Sequence, residues 1–587
     1  MPSPLALPFA LANLLLIASA LVASRRELGA LLPHSRDRRR ALLLVLLVAF
    51  SVRVLNPYRP VPFEDEWFYI DQSHALVRHR LNVFCTLGDM DDCGRFGVFY
   101  PIGYPVVLSL ASSILGFNDI AARAVGIGGG IATVLITYLL VRLLTRDDRT
   151  ALVASLVLAL LPMHIRYAMT TSSEMVSMLT EALAVLGAVL HVRTGRSANA
   201  WLAATSLAFH MTVRRENPLA IIPLLAVYSG GGRARRSALP WIMALVLIVP
   251  HISGFGELNM GATFHLSPTQ AEDSVVPLHP KHIPRNLWYV RYWLDGYFVP
   301  FLFTALALMG AAAIQKLPSP YSRLVVSWWI VRMGVYLLNH FRSFTPRFML
   351  SLSVPFALAA GAGAHALSPA ASFVVGAVLL SGAAHLPFPY SERFGLELAE
   401  GVRSAMAAAH LLLPLALLLW AAWRSRSREP RALVAVAVAC LFLVPLLYTV
   451  VESTDGVHYA QREAFTLEER TIDGWRHLVG SDCHVVVVEP VRPRYLWRRP
   501  TIVANFNFLS TKAVRDILKT DLDPLLRDGE CVYFYDPRPN GRTRPLLHED
   551  YVLELLDRID VDKVAPDATA LLEEISLYRV TGRRPSP

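Results

Sequence analysis

The chain has 587 residues, 54% hydrophobic and only 17% charged, with a mean hydropathy of +0.41. Soluble proteins carry about 25% charged residues, so this composition excludes a disordered chain and argues against a soluble enzyme. The net charge of +10 divides unevenly: residues 1–451 hold 23 acids and 37 bases, a net of +14, and residues 452–587 hold 23 and 19, a net of −4. A positive excess confined to the apolar part, mostly in its short loops, is the positive-inside signature of a membrane protein and not a nucleic-acid footprint.

Apolar runs predict spans at 3–24, 41–57, 119–144, 149–164, 174–193, 198–213, 217–229, 238–253, 297–314, 323–340, 348–366, 370–386, 404–422 and 432–451. Several fall short of the ~20 residues a span needs, so about 12–14 transmembrane helices are expected. The run at 3–24 lacks a positive n-region, and cleavage near Ala20 would place a loop with six arginines (Arg25–Arg40) outside. It reads as an uncleaved span with its N-terminus outside. The basic loops at Arg146 and Arg149, Arg193 and Arg196, Arg233–Arg236 and Arg424–Arg431 then share the cytoplasmic side with the first. A first external loop (58–118), a second (254–296) and the tail 452–587 face the other way.

The first external loop opens on Glu64-Asp65-Glu66-Trp67-Phe68-Tyr69. Three consecutive carboxylates at a membrane surface are hydrated, paired or used. A carboxylate held there can take a proton from a hydroxyl nucleophile or bind a cation, and a solvated acidic turn is the plainer alternative. Glu174 lies in the next short external loop, and Arg214, Arg215 and Glu216 at another outer end. Met163, His164 and other scattered Met or His near span ends read as packing residues. The loop 254–296 carries His279, Lys281, His282, Arg285, Trp288 and Tyr289. It can close over a bound ligand or be an ordinary interfacial loop. Arg342 and Arg347 precede a later span, against the charge bias. A lipid phosphate, which guanidinium binds bidentately, is one reason for that placement. An ion pair or snorkelling is the alternative, favoured for Arg342.

The tail has a different texture. Residues 484–489, 531–535 and 575–580 read as strands, and 511–519 and 549–558 show helical spacing. A small extracytoplasmic α/β domain results, read as a substrate-binding or structural cap. Cysteine usage agrees with an oxidising compartment. Cys85 and Cys93 share the first external loop, while Cys483 and Cys531 share the tail at the starts of two strands. Two disulfides are expected, with free thiols as the alternative. Cys440, inside an apolar run, is a small hydrophobe.

Taken in order, these features resemble the GT-C membrane glycosyltransferases, in the branch of the protein O-mannosyltransferases and the lipid A aminoarabinose transferase. Asp65-Glu66 with Tyr69 matches the external acidic motif of that branch. Tyr100-Pro101-Ile102-Gly103-Tyr104-Pro105 through Gly116-Phe117 is similar to the Pro-rich aromatic helix that follows. Arg123, Leu161-Pro162, Glu174, Arg347-Phe348 with Pro355, and the closing Leu577-Tyr578-Arg579-Val580 continue the order. The departures are Pro-Ile-Gly-Tyr-Pro where His-Pro-Pro is usual, Glu174 where Asp is common, and an extra N-terminal span.

The resemblance implies a polytopic α-helical membrane protein, GT-C-like over 1–451, with the jaw helices in 58–118 and the α/β domain at 452–587. It implies an inverting glycosyltransferase, hexosyl or pentosyl, that takes a monosaccharide from a polyprenyl-phosphate donor. The acceptor is a hydroxyl on a glycan, lipid or protein. Asp65 is the expected general base, supported by Glu66 or Glu64, and Glu174 would orient the acceptor or Asp65. Arg347, with Arg214 or Arg215 as alternatives and Arg342 behind them, would hold the lipid phosphate. Lys281, His282 and Tyr69 are candidate donor or acceptor contacts. No cofactor is expected, although the oxygens of Glu64–Glu66 can take a hard cation. The Arg-rich, Lys-poor composition fits a GC-rich bacterial genome, hence a bacterial inner membrane with a periplasmic active face. A lipid-linked-sugar transporter or flippase, and a non-catalytic membrane scaffold with a binding tail, are the competing classes.

Overall fold

The computed structural model describes residues 6–54, 69–70, 73, 76, 101–116, 119–171, 173–214, 217–229, 239–252, 280, 283–284, 286, 307, 319–338, 350–366, 456–487, 497, 501–503, 515, 518–537, 543–565 and 574–584. The chain forms two compact units. One comprises 1–59, 101–265 and 274–453; the other comprises 60–100, 266–273 and 454–587.

The first unit is helical. Its helices are α1 (Ala6–Ala23), α2 (Arg25–Leu31), α3 (Arg36–Val54), α4 (Gly103–Leu115), α5 (Asp119–Thr145), α6 (Asp148–Leu160) and α7 (Pro162–Ala168). They continue with α8 (Glu174–Thr194), α9 (Ser197–Met211), α10 (Ile221–Tyr228) after a 3-10 turn at Asn217–Ala220, α11 (Leu239–Ile252), α12 (Ser319–Leu338) and α13 (Ser353–Ala366). Each expected span up to 366 that lies among the described residues has a helix at its place. The run 149–164 is broken, because Pro162 cannot continue α6 and instead opens α7. The predicted runs at 297–314, 370–386, 404–422 and 432–451 lie outside the described residues, apart from Ala307.

Among the described residues, Ile120–Thr145 and Glu174–Thr194 are each long and apolar enough to cross a membrane, and α1 with α2 forms a pair bent by 60°. Exposed Leu43, Leu47, Ile114, Leu225, Leu245 and Ile330 belong to a surface that suits hydrocarbon rather than water. Interhelical contacts are close where a side chain is missing. A Cβ on Gly187 of α8 would lie 2.6 Å from the Ala203 nitrogen of α9, and one on Gly126 would lie 2.4 Å from the Ala168 oxygen. Small residues thus let helix backbones approach where apolar burial alone gives little drive in lipid.

Several arginines of the basic loops are also structural ties. Asp148 is buried and accepts from Arg38 at 2.5 Å, Arg142 at 2.7 Å and Tyr138 at 2.9 Å, which joins α3, α5 and α6. Asp147 caps α6 by accepting from the Thr150 nitrogen at 3.0 Å. Arg196 pairs with Glu27, and Arg193 donates to the Leu143 carbonyl.

In the second unit the tail carries α14 (Gly456–Trp475), β1 (His484–Val487), β2 (Thr501–Val503), a π-helical turn at Leu518–Leu522, α15 (Asp523–Arg527), β3 (Val532–Asp536), α16 (Thr543–Asp550), β4 (Tyr551–Asp560), α17 (Val561–Val564) and β5 (Glu574–Arg583). The sheet order is β2-β1-β3-β5-β4. β1 runs parallel to β2 and β3, while β5 is antiparallel to β3 and β4. Val485, Val487, Tyr533 and Tyr535 face a core with Trp475 and Ile472 of α14. Val486, Val532 and Phe534 face a second core with Leu518, Leu522 and Leu547. Burial on both faces is why the central strands read as unbroken apolar runs.

The predicted helix at 549–558 is a correction: α16 ends at Asp550, and Tyr551–Asp560 is strand β4, paired with β5. As an edge strand, β4 leaves Val552, Leu555 and Leu556 exposed. Its apolar residues therefore do not alternate, and register shifts at Val552/Leu553 and Leu555/Asp557 disturb the period further. Most of the predicted helix at 511–519 lies outside the described residues. The predicted bridge in the tail is present: Cys483 and Cys531 precede the parallel neighbours β1 and β3, and their Cα atoms are 4.9 Å apart.

Candidate active site

One buried polar cluster of the helical unit gathers on one face of α8. Glu174, Ser177 and Glu181 follow an i, i+3, i+7 spacing, so their side chains share that face. Glu174 sits in the first turn, where the helix dipole favours an acid. It is buried and forms an ion pair with Arg214. Arg214 follows the turn that ends α9, in which the Thr212 nitrogen bonds the Phe209 carbonyl and the Val213 nitrogen the His210 carbonyl.

That turn is held from one side by α4. The Gly103 nitrogen donates to the Thr212 carbonyl at 2.8 Å, and a Cβ on Gly103 would lie 2.5 Å from Thr212 Oγ1. Only glycine fits there, which gives the Pro-Ile-Gly-Tyr-Pro segment a packing role.

One turn deeper, the Asn217 amide donates to the His210 carbonyl at 2.6 Å and accepts from Ser177 Oγ at 3.2 Å. His210 is fully buried. Its Nε2 lies 3.2 Å from an Arg332 nitrogen, and its Nδ1 lies 3.1 Å from Thr180 Oγ1. Guanidinium only donates, so Nε2 accepts and Nδ1 carries the proton toward Thr180. Arg332 also donates twice to Glu181 Oε1, at 3.1 and 2.6 Å, with side chains only 3% and 2% exposed. A continuous polar strip therefore runs from Glu174–Arg214 to the Glu181–Arg332 pair inside the apolar bundle.

A second buried cation lies on α3. Arg53 donates to the carbonyls of Ala49 at 2.6 Å and Ala159 at 3.2 Å and contacts His164 Nδ1 at 2.5 Å. These contacts fasten α3 to the break between α6 and α7. His164 is thus a hydrogen-bonding residue rather than a mere packing one, whereas Met163 is buried in the apolar core.

Of the residues singled out from sequence, the structure brings Glu174 and Arg214 together. Tyr69 is buried in the other unit. Glu64, Asp65, Glu66, Arg215, Arg342, Arg347, Lys281, His282, Cys85 and Cys93 lie outside the described residues. No cluster of His, Cys, Asp and Glu able to hold a metal ion occurs among the described residues. Glu181, His210, Asn217 and Arg332 escaped the sequence reading. The available signal was an ionisable residue within a span, which is costly in lipid unless it serves a purpose.

Residues 100–253, which contain both Glu174 and Arg214, match the family model described as dolichyl-phosphate-mannose-protein mannosyltransferase. No curated protein matches the chain. The fold is similar to that of ArnT from Cupriavidus metallidurans bound to undecaprenyl phosphate, with 12% identity, a TM-score of 0.58, and coverage of 92% of this chain and 97% of that one. The apo form gives 13% identity and a TM-score of 0.59 with the same coverage. The match over 100–253 and the likeness of fold agree with the resemblance to the GT-C membrane glycosyltransferases, and the architecture is of the expected class: a unit of apolar helices with a small C-terminal α/β sheet region.

Proposed function

From a GT-C glycosyltransferase fold and a mannosyltransferase-family match over the segment that holds the Glu174–Arg214 pair, we propose that this chain is an inverting integral-membrane glycosyltransferase. It moves a monosaccharide from a polyprenyl-phosphate donor to an acceptor hydroxyl on the external face of a bacterial inner membrane. The observation that carries this reading is the buried acid–guanidinium pair within the matched segment, in a fold that binds undecaprenyl phosphate in ArnT.

In this reading Asp65, supported by Glu66 or Glu64, takes the proton of the acceptor hydroxyl. The acceptor oxygen attacks the anomeric carbon. The bond from that carbon to the phosphate oxygen breaks, and its electron pair leaves with the lipid phosphate. A guanidinium stabilises the charge growing there. Arg214 is the described candidate; Arg347, Arg215 and Arg342, outside the described residues, are the other candidates. Glu174 orients the acceptor and holds Arg214 in place until the anionic donor arrives. Tyr69, Lys281 and His282 are further contacts to donor or acceptor. Residues 452–587 act as a substrate-binding or structural cap, and 1–451 form the transferase domain.

The test is Asp65→Asn in cells carrying the gene, with glycolipids and glycoproteins compared by mass spectrometry. Loss of one sugar-bearing product, with the variant inserted at the wild-type level, is expected. An unchanged glycan profile refutes the enzyme. Movement of a lipid-linked sugar between leaflets by reconstituted Asp65→Asn protein would make the chain a transporter instead.

A further inference from the structure

We propose that Asn217, with His210 behind it, is a positioning residue that sets the aim of Arg214. This rests on the phosphate-holding role given to Arg214 above. Arg214 follows a short turn, not a helix, so its backbone has no helical ladder to fix it. Two contacts supply the missing constraint. Gly103 grips the Thr212 carbonyl from the α4 side. Asn217, three residues beyond Arg214, ties the other end: its nitrogen donates to Arg214's carbonyl at 3.3 Å, and its side chain bridges the His210 carbonyl and Ser177 Oγ. Arg214 is thus enclosed between His210 and Asn217, two buried residues joined to each other.

The donor count explains the choice of residue at 217. The amide must donate to a carbonyl and accept from a hydroxyl at once, which Asn does and neither a carboxylate nor Leu can do. His210 is itself oriented from below. Arg332 donates to its Nε2, which leaves Nδ1 to donate to Thr180. Arg332 is in turn held by Glu181. The deep ion pair thereby anchors a ladder whose top rung is the loop bearing Arg214. Arg214 then meets Glu174 and an incoming phosphate from a fixed direction, as precise anion recognition by guanidinium requires.

The experiment is a double-mutant cycle on the full-length protein in detergent, with undecaprenyl phosphate as the probe and its affinity read by intrinsic tryptophan fluorescence. Wild-type protein that fails to bind the probe overturns the donor reading itself. Given wild-type binding, Arg214→Gln and Asn217→Leu are each expected to weaken it about tenfold or more. In the Arg214→Gln background, Asn217→Leu should weaken it no further, because its effect passes through the guanidinium. Additive losses, or equal affinity of either single variant and wild type, overturn the positioning role and leave the donor reading standing. Asn217→Asp, which as a carboxylate keeps shape and loses the donor, is expected to behave as Asn217→Leu. If Asn217→Leu does not fold, Asn217→Asp alone carries the same cycle. Wild-type affinity of Asn217→Asp likewise overturns the role.

Discussion

Replacing Glu181 by Leu should destabilise the helical unit far more than the loss of its hydrogen bonds from Arg332 implies. Both side chains of the Glu181–Arg332 pair are almost fully buried. Removing either partner strands the other charge away from water, at a cost of about 3–5 kcal/mol. Removing both, as Glu181→Leu with Arg332→Met, strands no charge. It leaves His210 Nε2 without its Arg332 donor, a buried hydrogen-bonding group whose loss costs about 1–3 kcal/mol. The single variants then sum to about 6–10 kcal/mol while the double variant costs about 1–3 kcal/mol, so the coupling is about 3 kcal/mol or more. Equilibrium unfolding of the full-length protein in mixed micelles, followed by tryptophan fluorescence, gives the four corners of the cycle. Single-variant losses that add in the double variant would refute the argument, because they would mean that each side chain is stabilised independently of the other.

Three further outcomes follow from the packing and the tail. Gly187→Ala and Gly126→Ala should each cost about 1–3 kcal/mol in the same assay, since backbone atoms at 2.6 and 2.4 Å cannot yield to a methyl group. Gly128→Ala, with nothing within 4 Å, should be neutral or slightly stabilising, and equal losses at all three positions would contradict the contact geometry. The Cys483–Cys531 bridge closes a 48-residue separation, so its loss should weaken the C-terminal fold by roughly 4 kcal/mol in the chain-entropy account. Limited proteolysis of the Cys483→Ser/Cys531→Ser protein should cut the tail faster than wild type, and equal rates would deny the bridge that role. Tyr551 has its phenol pKa raised by burial and by its hydrogen bond to Asp523, which Arg583 also holds. A raised pKa means stability that is complete below the unfolded value of about 10 and lost as pH rises past it toward the folded value. Unfolding of the tail should therefore ease above that pH in wild type and not in Tyr551→Phe, and parallel profiles would remove Tyr551 from the cause.

Much of the fold was legible because lipid and sheet both impose strong patterns. The helices α3, α5, α8, α9 and α12 follow apolar runs whose composition leaves few alternatives. β1, β3 and β5 were readable because two cores bury both of their faces. β4 was not, since its leucines are exposed on an edge and its pairing partner, not its own period, makes it a strand. β2 spans only three residues, Thr501–Val503, too short for a pattern. Glu174 and Arg214 were each visible as charges out of place at an outer end. Their pairing across 40 residues depends on how α8 and α9 pack, which spacing does not encode. Glu181 and Arg332 are interior charges within runs that remain apolar on average, so a hydropathy sum passes over them, although a charge in lipid is itself the stronger signal.

The Glu181–Arg332 pair also has a history in time. Its members lie 151 residues apart, and at about 5–20 residues per second the second is made roughly 8–30 s after the first. During that interval α8 exists while its arginine has yet to be synthesised. Until α12 arrives, the nascent chain lacks the arginine that meets Glu181 in the finished fold.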